Sequence, residues 1–97
     1  MTTFVSLVNF TDQGIRNVKD SPKRVDAFKE MAQKAGVTIK DFYWTLGSHD
    51  MVVIAEALDE LAVTALGLSV GAQGNVRTET LRAFNRAEMA QILAKMG

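Results

Sequence analysis

Two stretches of this chain are apolar on both faces of any strand they could form. In Phe4–Phe10, residues Phe4, Val8 and Phe10 oppose Val5 and Leu7; in Met51–Ala57, Met51, Val53 and Ala55 oppose Val52 and Ile54. Side chains alternate across a strand, so both faces of these two must be shielded. That places them in the middle of a sheet, with more polar strands at the edges. Thr38–Leu46 and Asn75–Phe84 supply those edges. In the first, Phe42, Trp44 and Leu46 alternate with Asp41, Tyr43 and Thr45.

Helical segments separate the strands. Thr11–Val18 contains Gly14 and reads as a short, weak helix. Ser21-Pro22 marks a firmer start, because serine can cap free amides and proline needs no partner in the first turn. Val25, Phe28, Ala32 and Ala35 follow at helical spacing, and Gly36 closes that helix. Asp59 and Glu60 open another that runs to Ala72 and ends at Gly74. Asn85 and Glu88 form a capping pair for a last helix with the stripe Met89, Ile92, Leu93 and Met96. The order β-α-β-β-α-β-α predicts an α+β fold: a ferredoxin-like βαββαβ sandwich on a four-stranded antiparallel sheet, with an extra C-terminal helix.

At 97 residues the expectation is one domain spanning 1–97. Eleven basic residues balance eleven acidic ones, which gives no field for nucleic acid or an anionic membrane. RNA-recognition modules of the same order stack bases on central-strand aromatics, and Met51–Ala57 has none. No apolar run approaches the ~20 residues of a membrane span. No basic, apolar leader precedes Phe4. A cytoplasmic protein is expected. With no cysteine and a single histidine, neither a metal site nor a bound cofactor is expected.

Hydrophobicity exceeds what one such chain can hide. Helices cover one face of the sheet, yet the central strands present apolar side chains to both. The helix after Asp59 is also apolar nearly all round, through Leu61, Ala62, Val63, Ala65, Leu66, Leu68 and Val70. The last helix can cover only one of these surfaces. Self-association is expected, as a homodimer joined by sheet faces or a higher oligomer; the alternative folds the last helix across the open sheet of a monomer.

Topology gathers the distinctive polar residues at one end of the sheet. Asn9 and Thr11, the Gly47–Asp50 turn, Asn75–Thr78, and Ser21 flanked by Lys19, Lys23 and Arg24 all lie there. A helix start among basic side chains suits an anion. The ligand-binding candidates are Tyr43, His49, Asp50, Asn75 and Arg77. His49 is a general base or a solvated turn residue. Asp50 is its neighbour, or a partner for turn amides. Arg77 is an anion anchor, or pairs with Glu79 and charges across the strand. Tyr43 lines a pocket on the open face, while Trp44 packs in the core. Gly67 and Gly71 permit a close helix contact. No catalytic set emerges from these residues.

Several segments resemble a known family. Thr11-Asp12-Gln13-Gly14, Asn17-Val18-Lys19-Asp20-Ser21-Pro22, Asp41-Phe42-Tyr43 with Thr45-Leu46-Gly47, and above all Gly74-Asn75-Val76-Arg77-Thr78-Glu79-Thr80-Leu81-Arg82-Ala83-Phe84 resemble the GYD domain family over about residues 4 to 90. The family turn Gly-x-Tyr-Asp is Gly47-Ser48-His49-Asp50 here, so His49 replaces a tyrosine while Gly47 and Asp50 remain. Pro-Asp-Asp after the third strand becomes Leu58-Asp59-Glu60. The resemblance implies a ferredoxin-like chain of the dimeric α+β barrel type, and no particular reaction. Relatives by fold include cofactor-independent monooxygenases, haem-degrading enzymes and small-molecule-binding regulatory domains, but fold alone does not carry function. The leading expectation is a homo-oligomeric module that binds a small ligand, with an anion as one option. The alternatives are an oxygenase- or isomerase-like enzyme with a pocket between sheet and partner, and a structural assembly subunit.

Overall fold

A computed structural model describes residues 1–97. Strand β1 (Thr2–Phe10) leads into a short helix α1 (Asp12–Arg16), a 3-10 turn (Val18–Asp20) and helix α2 (Ser21–Lys34). The hairpin β2 (Val37–Trp44) and β3 (Met51–Ala57) follows, then α3 (Glu60–Ala72), β4 (Val76–Ala83) and α4 (Arg86–Ala94). The sheet is antiparallel in the order β2-β3-β1-β4, so the two doubly apolar strands are central. No helix is long and apolar enough to cross a membrane.

The register fixes the two faces. Val8 pairs with Met51 and Thr78; Phe4 pairs with Ala55 and Arg82. These residues, with Ser6, Phe10 and Val53, face α2 and α3. Phe4, Val8, Met51, Val53, Ala55 and Ala57 are buried there with Val25 and Ala32 of α2 and Val63 and Leu66 of α3. The opposite face carries Val5, Leu7, Val52, Ile54 and Leu81, flanked by Asn9, Asp41, Tyr43, Arg77 and Glu79. β2 shifts register between Ile39 and Asp41. The bulge lets Val37 and Ile39 share a face with Phe42 and Trp44 despite their opposite parity.

Local chemistry explains most element ends. Thr11 accepts a hydrogen bond from the Gly14 amide and caps α1. Asp59 accepts from the Ala62 amide at 3.0 Å and caps α3. Ser21 behaves differently from expectation. The 3-10 turn runs directly into α2, Ser21 is already helical, and its hydroxyl accepts from Trp44 Nε1 at 3.0 Å instead of capping the helix. Trp44 is not in the core: it lies on edge strand β2, 46% exposed, with its ring edge-on to Phe42. The second strand also ends earlier than its alternation suggests, leaving Leu46 fully exposed in the turn. Gly67 and Gly71 bring no helices together. A Cβ at Gly71 would meet nothing, and one at Gly67 only Thr78 Oγ1 at 3.8 Å.

Helix α4 is held by its own chemistry. Asn85 and Glu88 form a complete capping box, and Arg82 donates to Glu88 at 2.7 Å. No residue of α4 is buried, and Met89, Leu93 and Met96 are exposed. Strands of nine residues span about 30 Å, whereas the molecule is 51 Å long; α4 extends beyond the sheet. The helix does not fold back across the open face. Its order therefore depends on its cap. Asn85→Ala should cost about 1 kcal/mol locally and abolish amide-exchange protection over residues 86–94 while strand amides stay protected. The Arg82 hydrogen bond, aided by the Asn85 amide, holds the Glu88 carboxyl below its ordinary 4.5. A lowered carboxylate contributes above its unfolded pKa and is lost as pH falls through the folded one. Helix α4 should thus fray first on acidification below pH 4.5.

Candidate functional site

The residues gathered at the top end divide between two faces. On the open face, Asn9 pairs with Arg77 in the β1–β4 register. The Asn9 side-chain amide donates to the Ser48 carbonyl at 3.1 Å. That bond orients Asn9 so that its Oδ1 meets His49 Nδ1 at 2.9 Å, and the proton therefore sits on Nδ1. His49, Asn9 and Arg77 thus form one exposed cluster. The two ion pairs of the chain, Lys40–Glu56 and Arg82–Glu88, leave Arg77 and Glu79 unpaired.

Asp50 is committed to the sheet. Its amide donates to the Val8 carbonyl at 2.8 Å, and its Oδ2 accepts the Phe10 amide at 2.8 Å. The carboxylate satisfies a strand amide beyond the last ladder pair, so it partners β1 rather than its own turn.

Asn75 joins β4 to α1. Its carbonyl accepts the Thr11 amide at 3.0 Å, and its side chain accepts from Gln13 at 2.9 Å. Tyr43 sits elsewhere. It lies on edge strand β2 and Arg77 on the opposite edge, about 14 Å away at three strand spacings. The Tyr43 hydroxyl donates to Asp41 Oδ2 at 3.0 Å, and this bond to a carboxylate, with its charge, raises the phenol pKa above 10.0. Tyr43 is a neutral donor at ordinary pH. No group of three or more metal-ligating side chains comes together.

A further space lies on the other face, between the sheet and its own helices. It is a cavity of about 150 Å³. Val8, Phe28, Val53, Val63 and Leu66 supply much of its wall, and neither Tyr43 nor His49 lines it. Ser6, Thr78 and Thr80 floor it with hydroxyls, and Arg24 stands at its upper end. Sequence reading overlooked this floor. The signals were a serine interrupting the apolar side of a central strand and two threonines spaced two apart on its neighbour.

Sheet order, register and the alternation of strands and helices define a ferredoxin-like α+β protein. Its sequence matches the GYD domain model over residues 4–93, and the chain belongs to the GYD domain family. A Thermus thermophilus protein, described as a glutamine synthetase and cystathionine beta-lyase binding protein, is 32% identical over 90 residues, covering 92% of this chain and 95% of that one. The crystal structure of a Thermus thermophilus protein superimposes with a TM-score of 0.57 at 23% identity, over 88% of this chain and 95% of that one. That likeness bears on the fold.

Proposed function

We propose that this chain is a non-catalytic, cytoplasmic binding module that works as a homo-oligomer and docks a protein partner. The observation that carries this reading is surface left uncovered. A monomer of 10.6 kDa ordinarily exposes about 5,500 Å². This chain exposes 6786 Å², an excess of about 1,300 Å² over that norm. A standard interface removes about 800 Å² per partner, so the surplus suffices for a substantial one. Only 13 of 97 residues are buried, and no large side chain is fully enclosed; the single chain has a thin core.

The open face, with Val5, Leu7, Val52 and Ile54 at its centre, is the natural seat for a second copy, giving the dimeric α+β barrel arrangement. A second apolar ridge remains outside it. Leu58, Leu61 and Leu68 are 82%, 79% and 71% exposed, the last two along the outer side of α3. That ridge suits a different protein. The Thermus relative is described as binding two enzymes, which supports a protein-docking role here. An oxygenase or isomerase of this fold would place His49 or Tyr43 around a pocket, and the cavity within the single chain is lined by neither.

Immobilised wild-type protein should retain purified glutamine synthetase or cystathionine β-lyase in an interferometry assay. The double variant Leu61→Lys/Leu68→Lys should release it while keeping the subunit count. Failure to retain either enzyme would remove the support the relative lends to partner docking.

A further inference from the structure

We propose that the cavity between α2, α3 and the sheet is a binding site for a small monocarboxylic acid with an apolar, single-ring body. Protein interiors are close-packed, and a space of about 150 Å³ is the size that accepts a benzene ring. This one is kept open by small residues. Ser6, Ala55, Gly67, Thr78 and Thr80 all line it, where one larger side chain would fill the gap. Gly67 is the clearest case. It sits within α3, where alanine is favoured by about the worth of a weak hydrogen bond, yet a Cβ there would meet only Thr78 Oγ1 at 3.8 Å.

The lining sorts into two parts. Val8, Phe28, Val53, Val63, Leu66 and Val70 would hold the apolar body. Polar groups stand at defined places. Ser6 Oγ and Thr80 Oγ1 hydrogen-bond to each other at 2.8 Å on the floor. At the upper end is Arg24, part-buried and without an acidic partner. Its two terminal nitrogens reach the Asn17 and Gly14 carbonyls at 2.9 and 3.3 Å, which fixes the guanidinium at the cavity edge. Arginine carries five donors, so about three remain for a carboxylate. A fixed, uncompensated cation beside an apolar cavity selects an anion with an apolar body. The exposed Ala27 of α2 marks the open side through which it enters.

The residues named for this site all lie within one chain. The site is separate from the His49–Asn9–Arg77 cluster on the opposite face. Phenylacetate is the test ligand and phenylacetamide its uncharged counterpart, titrated into the isotopically labelled protein with backbone amide shifts followed. Phenylacetate should shift the amides of Phe28, Val63, Gly67 and Thr78 and bind roughly tenfold more tightly than the amide, the worth of one charged hydrogen bond. Gly67→Leu, which favours the helix and fills the cavity, should abolish both. Arg24→Gln should reduce the acid to the level of the amide. Four results would overturn the proposal: no binding of either compound at millimolar concentration, equal wild-type affinity for acid and amide, binding that survives Gly67→Leu, or shifts centred on His49 and Arg77. The wild-type comparison decides the charge question even where Arg24→Gln fails to fold. The subunit count of the same samples is independent of all four.

Discussion

Leu7→Lys is expected to convert the assembly into folded monomers. Leu7 lies at the centre of the open face, between Val52 on β3 and Glu79 on β4. Lysine is chosen for what it does within the single chain. Glu79 is directly opposite and forms no ion pair, so the new ammonium gains a cross-strand partner worth a few tenths of a kcal/mol. The isolated fold is therefore spared. Between two sheet faces the same group must be desolvated, once from each copy. Burying an incompletely paired charge costs several kcal/mol. An expected loss of about 4 kcal/mol weakens association about a thousandfold. Light scattering should report the monomer mass, while circular dichroism keeps its wild-type shape. A variant that stays assembled would place the interface elsewhere, on the α3 ridge or on α4.

The largest effect on stability is expected at Gly14. This residue is buried at the start of the chain's first helix, against the loop that enters β4. A Cβ there would fall 1.9 Å from the Asn75 carbonyl oxygen and 2.9 Å from its carbon. Both are backbone atoms and cannot rotate aside. That carbonyl also accepts the Thr11 amide, and Thr11 donates its hydroxyl to the Gly74 carbonyl. Gly14→Ala must push α1 away from β4 and break this set together. Overpacking of this kind costs about 2–3 kcal/mol, and lost hydrogen bonds add about 1 kcal/mol each. In a chain of this size the melting temperature should fall by roughly 15–40 °C. Gly71→Ala is the control. It meets no neighbouring atom, and removing glycine from a helix should leave stability unchanged or slightly raised.

These two positions also show what the sequence made legible. Doubly apolar strands, a capping box at Asn85 and Glu88, and an acidic start at Asp59 are local signals, and each carried its element into place. The open face was legible for the same reason: Val5, Leu7, Val52 and Ile54 follow from parity alone. What was not legible depends on register between distant segments. Gly14 is read as a weakness in a helix, whereas its reason is the Asn75 carbonyl sixty-one residues away. Trp44 is read as core because it and Tyr43 face opposite ways and one of the two must lie on the helix side. A bulge after Ile39 and an edge position leave it half exposed, tied to Ser21. The bulge itself had a signal, since Val37 and Ile39 are odd-numbered and Phe42 and Trp44 even-numbered.

The candidate site was legible to the same degree. The topological argument brought Asn9, His49 and Arg77 to one end, and they form a cluster there. It also assigned Asp50 to hydrogen bonding, but the amide it takes belongs to β1. Tyr43 sits on the opposite edge strand from Arg77, because β2 and β4 flank the central pair. The cavity was invisible because Ser6, Gly67 and Thr80 look like unrelated small residues until three elements are laid over one another.

The homo-oligomeric part of the proposed role depends on the open sheet face being covered by another copy of this chain. Native mass spectrometry of the wild-type protein at micromolar concentration tests that directly. An even multiple of 10.6 kDa, falling to the single-chain mass with Leu7→Lys, is the expected result. A wild-type protein that flies and sediments as one chain would contradict it.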